Sequence, residues 1–211
     1  MTRSPHRRTA ARLALALIPV LVLAACGGDD QSAPKQLGGY VLTPAPVVAE
    51  LALPDASQSD ADFAFKAAPG HLLVVYFGYM SCPDVCPTTL NEFKNALKDV
   101  SKIAGNVDLA MITVDPDRDT GENLTKYVQS FVPGAHALRT EDQTLLESTA
   151  KAFGASYSVT TDAKGAIEVT HTAAMYLIDS TGTVILTWPY GGIQRASMAD
   201  DLQILFDKGV K

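Results

Sequence analysis

Cys82 and Cys86 lie four positions apart in Cys-Pro-Asp-Val-Cys-Pro, and a third cysteine, Cys26, stands far from them in the chain of 211 residues. Two thiols at that spacing are a redox pair, a metal site, or both. A purely structural disulfide is the weaker reading. The loop it would close is tiny, so constraining the unfolded chain would gain little. Pro87 follows Cys86 and suits the first turn of a helix, where its missing N–H costs nothing. Cys86 is then expected beside unpaired backbone N–H groups and the positive end of a helix dipole, both of which favour the thiolate. Thiolate is the form that attacks disulfides and binds metal.

The elements around the pair follow from hydrophobic period. Leu72–Phe77 is a continuous apolar run before the cysteines, which predicts a strand buried on both faces. After them Leu90, Phe93, Leu97, Val100 and Ile103 recur at helical steps and predict a helix with one apolar stripe. Leu109–Val114 predicts a second buried strand, Glu122–Val132 a helix, Ala137–Leu138 a short strand and Gln143–Phe153 another helix. Tyr157–Thr161 with Ile167–Thr170, and Ala174–Ile178 with Val184–Trp188, flank Gly-containing turns and predict two hairpins. A last helix is expected over Ser197–Asp207. Alternating strands and helices followed by a hairpin and a helix give an α/β domain, a central mixed sheet covered by helices, with one added hairpin. The domain is expected from about Ala64, after an extended, Pro-rich lead-in over Gly38–Leu53.

The N-terminus carries a separate message. Arg3, Arg7, Arg8 and Arg12 precede an apolar run from Leu13 to Ala25, the layout of a secretory signal. That run is shorter than the ~20 residues a membrane-spanning helix needs. It ends in Leu23-Ala-Ala-Cys26-Gly, which resembles the lipobox of bacterial lipoproteins. The resemblance implies cleavage before Cys26 and acylation of its thiol. The expected organisation is a signal over 1–25, a lipidated tether over 26–36 and one domain over 37–211. The expected location is extracytoplasmic, on a membrane through the lipid, where several acyl chains hold firmly. The remaining chain has 13 Lys and Arg against 23 Asp and Glu, a balance of −10. Such an acidic chain is poorly suited to nucleic acid.

Strand, Cys-Pro-x-x-Cys-Pro, helix is also the pattern of the Sco (SenC) proteins, copper-binding factors for cytochrome oxidase assembly. Thioredoxin-like oxidoreductases usually carry two residues between the cysteines, whereas this chain carries three. The chain further resembles the family at Val114-Asp-Pro-Asp-Arg-Asp-Thr120 and at His171-Thr-Ala-Ala-Met-Tyr-Leu-Ile-Asp179. The resemblance implies a thioredoxin-like fold in which His171, on the loop entering the strand Ala174–Ile178, lies beside the cysteines. Thioredoxin-like enzymes usually have a cis-proline there, and no Pro occurs between Ala163 and Ile185. It further implies one copper ion, Cu(I) or Cu(II), held by Cys82, Cys86 and His171. Its destination would be a copper-receiving subunit of cytochrome c oxidase, with other copper chaperones or thiol reductants as further partners. Thiolate and imidazole both suit copper. The alternative is an extracytoplasmic thiol–disulfide oxidoreductase that needs the cysteines and carries no metal.

Other residues read more plainly. His71 and His136 are expected on the solvated surface, Met175 in strand core, Met80 in packing, and Asp84 exposed between the cysteines. Asp115, Asp117 and Asp119 are expected to cap the following helix, with Arg118 paired internally.

Overall fold

The computed structural model describes residues 36–209. The signal, Cys26 and nearly all of the tether lie outside the described residues. The strands are β1 (Ala52–Asp55), β2 (Ala61–Ala64), β3 (Leu72–Gly78), β4 (Val107–Thr113), β5 (His136–Leu138), β6 (Tyr157–Thr161), β7 (Ile167–His171), β8 (Ala174–Ile178) and β9 (Val184–Pro189). The helices are α1 (Val85–Asp99), α2 (Gly121–Phe131), α3 (Gln143–Ala152) and α4 (Arg195–Asp207).

Seven strands form one sheet in the order β2-β1-β5-β4-β3-β8-β9. β3, β4 and β5 run parallel, β8 runs antiparallel to β3, and β9 runs antiparallel to β8. β3 is buried along its whole length, as its unbroken apolar run requires. Its side chains alternate between two cores. Tyr76 and Gly78 face α1, where a Cβ on Gly78 would lie 2.7 Å from the Tyr76 ring and 3.2 Å from Cys86 Sγ. Phe77 points the other way and meets Phe153, just past α3, and Tyr176, at ring distances of 5.4 and 6.1 Å. Helices therefore cover both faces, and the close approach of α1 to the end of β3 needs a glycine at 78.

Two features depart from the expected order. The sheet begins at Ala52, before the expected domain start, because β1 and β2 form an antiparallel pair that joins β5 through Asp55 and Leu138. β1 holds Pro54 and is only four residues long, so it shows no clear period. The helix after the cysteines ends at Asp99; Val100 and Ile103 lie beyond it yet remain buried. The lead-in is bound to the domain at the other edge. Tyr40 bridges Thr187, Val47 bridges Thr183, and the Gly38 and Gly39 amides donate to the Asp201 carboxylate at 2.8 and 2.9 Å. β6 and β7 form a separate two-stranded hairpin, the expected addition.

Candidate metal centre

The carboxyl end of β3 delivers the chain into the turn Tyr79–Asp84, which carries Cys82 and leads directly into α1. Cys86 is the second residue of that helix and fully buried, whereas Cys82 is half-buried at the rim. Both thiols are free. The Cys86 N–H donates to Cys82 Sγ at 3.3 Å. The first-turn donor expected to ionise Cys86 therefore serves Cys82 instead.

The consequence is a division between the two sulfurs, and it corrects the expectation that Cys86 is the thiolate. Burial pushes the Cys86 thiol up to about 12, only partly opposed by the nearby Tyr76 hydroxyl and Tyr79 backbone. Burial also works to raise Cys82. It is outweighed there by the backbone and side chain of Cys86, the backbone of Asp84 and the Tyr79 side chain, so Cys82 sits below its ordinary value.

His171 ends β7 and brings Nε2 to 3.5 Å from Cys86 Sγ. Its Nδ1 lies 3.3 Å from the Thr172 carbonyl, which can only accept, so Nδ1 carries the proton and Nε2 turns a lone pair toward the sulfurs. Burial holds the imidazole below its ordinary value and thus neutral, with the Thr172 carbonyl a smaller opposing influence. The rings of Tyr76 and Tyr79 stand edge-on to it at 6.1 and 5.8 Å. One ligand atom from each of Cys82, Cys86 and His171 lies within 4.8 Å of the other two, the one such grouping among the described residues. A cleft of about 320 Å³ opens on Cys82, between Tyr79, Pro83 and Val85 on one side and Val169 and His171 on the other.

The SCO1/SenC family profile matches residues 55–207. The chain belongs to the SCO1/SenC family. An SCO2-like protein of Rickettsia prowazekii is 36% identical over 115 residues, which are 54% of this chain and 56% of that protein. The human mitochondrial SCO1 homolog is 35% identical over 116 residues, 54% of this chain and 38% of the human protein. The chain thus spans about half or less of the length of these curated relatives. Among solved structures, apo Sco1 of Thermus thermophilus matches with a TM-score of 0.67 at 27% identity, over 82% of this chain and 99% of that one. ScoI of Bradyrhizobium japonicum with copper bound matches at 0.61 and 28%, over 72% and 95%. The sheet with helices on both faces is the thioredoxin-like fold of these SCO1/SenC structures.

Of the other singled-out residues of the SCO1/SenC chain, the histidines and the aspartates expected to cap α2 depart from expectation and the rest agree with it. His71 and His136 are not simply solvated: their Nδ1 atoms meet Asp108 at 3.0 Å and Asp55 at 2.6 Å. Both partners lie across the sheet and are distant in sequence. Arg118 pairs with Asp115, as expected. Thr120, not an aspartate, caps α2, its Oγ1 accepting from the Asn123 N–H. Asp119 is instead buried, and its Oδ2 accepts from Thr113 Oγ1 at 2.6 Å and from the Met80 N–H at 3.0 Å. That bond ties the cysteine turn to the end of β4. Met175 is core, Met80 packs at the core margin, and Asp84 is exposed and accepts from Thr88 Oγ1. Tyr76 is visible in sequence only as an apolar strand position, since a run buried on both faces hides which side chains face the site, and Tyr79 lies beyond that run.

Proposed function

We propose that this protein binds one copper ion through Cys82, Cys86 and His171 and passes it to a copper-receiving subunit of cytochrome c oxidase. The observation that carries the reading is the convergence of two sulfurs and an unprotonated imidazole nitrogen within 4.8 Å. This donor set, soft and free of carboxylate, fits copper and would hold calcium or magnesium poorly. With two thiolates and a neutral imidazole the site charge is near −1 for Cu(I) and near 0 for Cu(II). Three ligands leave a coordination position open, and the cleft at Cys82 gives an incoming thiolate access to it. The relative ScoI with copper bound supports the choice of metal. Work outside the cytoplasm, with the membrane reached through lipid on Cys26, completes the proposal and agrees with the signal-like N-terminus. Other copper chaperones or thiol reductants would load the site or keep it reduced.

The test is a copper titration of the reduced chain from Gly27 onward. One equivalent should bind and give a thiolate-to-Cu(II) charge-transfer band. His171→Ala should lose the band and weaken binding by more than the ~10–100-fold typical of outer-shell changes. Unchanged affinity and spectrum in that variant would exclude the three-ligand site. The unequal thiols favour a second reading, a thiol–disulfide oxidoreductase with Cys82 as attacking sulfur. It predicts disulfide exchange with no copper bound and no dependence on His171.

A further inference from the structure

The β6–β7 hairpin carries His171, yet it pairs with no other strand among the described residues. Its register places Tyr157 opposite His171, Val159 opposite Val169 and Thr161 opposite Ile167. The Thr172 N–H donates to the Ser156 carbonyl and the Asp162 N–H to the Ala166 carbonyl, so the hydrogen-bonded pairs fall on the even-numbered residues. The backbone groups of Ile167, Val169 and His171 therefore point away from β6. No hydrogen bond among the described residues takes them. The cleft at Cys82 is bordered by Val169, Thr170 and His171 of β7 and by no residue of β6, so the open edge of β7 faces the cysteine turn. β6 turns its own outer edge toward Asp115–Asp117 and α3.

We propose that the open edge of β7 is the docking strand for an extended, cysteine-bearing segment of a partner protein. An open strand edge is a template for a further strand. The segment would lie in the cleft, with its backbone paired to Ile167, Val169 and His171 and a thiol set beside Cys82. The cleft walls say what else it carries. Tyr79, Pro83, Val85 and Val169 offer apolar contact to small side chains, and exposed Asp84 disfavours acidic ones. The segment is therefore extended, uncharged to basic, and built around a cysteine. This rests on the proposed function only in taking Cys82 as the sulfur that meets the partner; the docking edge is the same for copper transfer and for disulfide exchange.

The register supplies a discriminating pair of variants. Val169 and Val159 are opposed, and neither N–H is used within the hairpin. Val169→Pro blocks the edge that faces Cys82, whereas Val159→Pro blocks the equivalent edge that faces away from it, and both spare the hairpin's own bonds. The probe is the fluorescent, end-blocked peptide KTVTCVTVTK, added to the reduced, copper-free full chain and followed by anisotropy. Hydrogen exchange at 165–172 is measured in parallel. Val169→Pro should weaken binding about tenfold or more, the loss of one backbone bond plus the ring's intrusion. Val159→Pro should bind within about twofold of the unaltered chain, and Val169→Thr, which keeps the N–H, should also stay close to it. Peptide should slow exchange in β7. Equal effects of the two proline variants, in either direction, or no slowing in β7, would overturn the proposal. A copper titration of the same samples reads the metal site separately: a chain that binds peptide through β7 and takes up no copper would refute the copper reading and leave the docking strand standing.

Discussion

The reduced, copper-free chain from Gly27 onward, exposed to iodoacetamide at pH 8, should be alkylated at Cys82 long before Cys86. With the Cys86 thiol pushed up to about 12, its thiolate fraction at pH 8 is about one in ten thousand. Cys82 is held below the ordinary thiol value of 9.0, so more than about one in ten is ionised. The thiolate populations thus differ by at least about a thousandfold. A more basic thiolate is intrinsically the better nucleophile, with a Brønsted slope of about 0.5, which returns about thirtyfold to Cys86. With Cys82 placed at that ordinary value the two effects leave it ahead by about thirtyfold, and the full burial of Cys86 widens the gap. Peptide mass spectrometry of the first-modified population measures the ratio directly, and Cys82→Ser should leave a chain that is nearly inert. Equal labelling, or faster labelling of Cys86, would show that the helix terminus activates the buried sulfur after all. The argument from the Cys86 N–H to Cys82 Sγ would then fail.

Three further outcomes are expected. Asp119→Ala removes the acceptor that joins the Met80 N–H to Thr113, and should lower copper affinity and cost about 2–3 kcal/mol in chemical denaturation. Asp119→Asn keeps an oxygen for both donors and should recover most of each; an asparagine variant as impaired as the alanine one would contradict this role. Asp201 is fully buried and accepts from the Gly38 and Gly39 amides and from Trp188 Nε1, the last at 2.7 Å. Asp201→Ala should therefore destabilise the chain by about 3 kcal/mol, and the only tryptophan reports the transition by fluorescence. The folded state keeps His171 neutral below the ordinary histidine value of 6.5, so the unfolded chain binds a proton there that the folded one does not. Copper-free stability should accordingly fall as pH drops through 6.5, and less so in His171→Ala; denaturation of both at pH 7.5 and 5.5 compares the slopes, and identical slopes would refute the assignment.

The sheet's centre was readable because its period is unambiguous: a run such as Leu72–Phe77, without a polar residue, has few homes other than a doubly covered strand. The edge was not readable, since β1 and β2 are four residues each and owe their existence to a neighbour, β5, that is itself only three residues long. The same limit governed the histidines. Asp108 is 37 residues from His71, and Asp55 is 81 from His136, so only the sheet's register makes them pairs. The Asp119 side chain was misplaced for a local reason. Thr120 competes for the same cap, and nothing in the loop's own sequence shows that Met80 and Thr113 await an acceptor.

The cysteines show why a correct motif can still yield the wrong chemistry. Their position between β3 and α1 fixes that a helix N-terminus is near both sulfurs, but not which sulfur it serves. That depends on the rotation of α1. Its inner face carries Cys86, Leu90, Phe93 and Leu97 at helical spacing, and this stripe must face the sheet. Cys86 is therefore carried into the core by the same hydrophobic pattern that forms the helix, and its N–H is left pointing back at Cys82. The apolar stripe is present in the sequence itself, with Cys86 four residues ahead of Leu90. Extending it back by one turn places Cys86 inside and Cys82 at the rim, and the unequal thiols follow from that step alone. His171 then completes the arrangement from the other side of the cleft. It brings a neutral nitrogen to the buried sulfur and leaves the half-exposed one free to meet whatever enters.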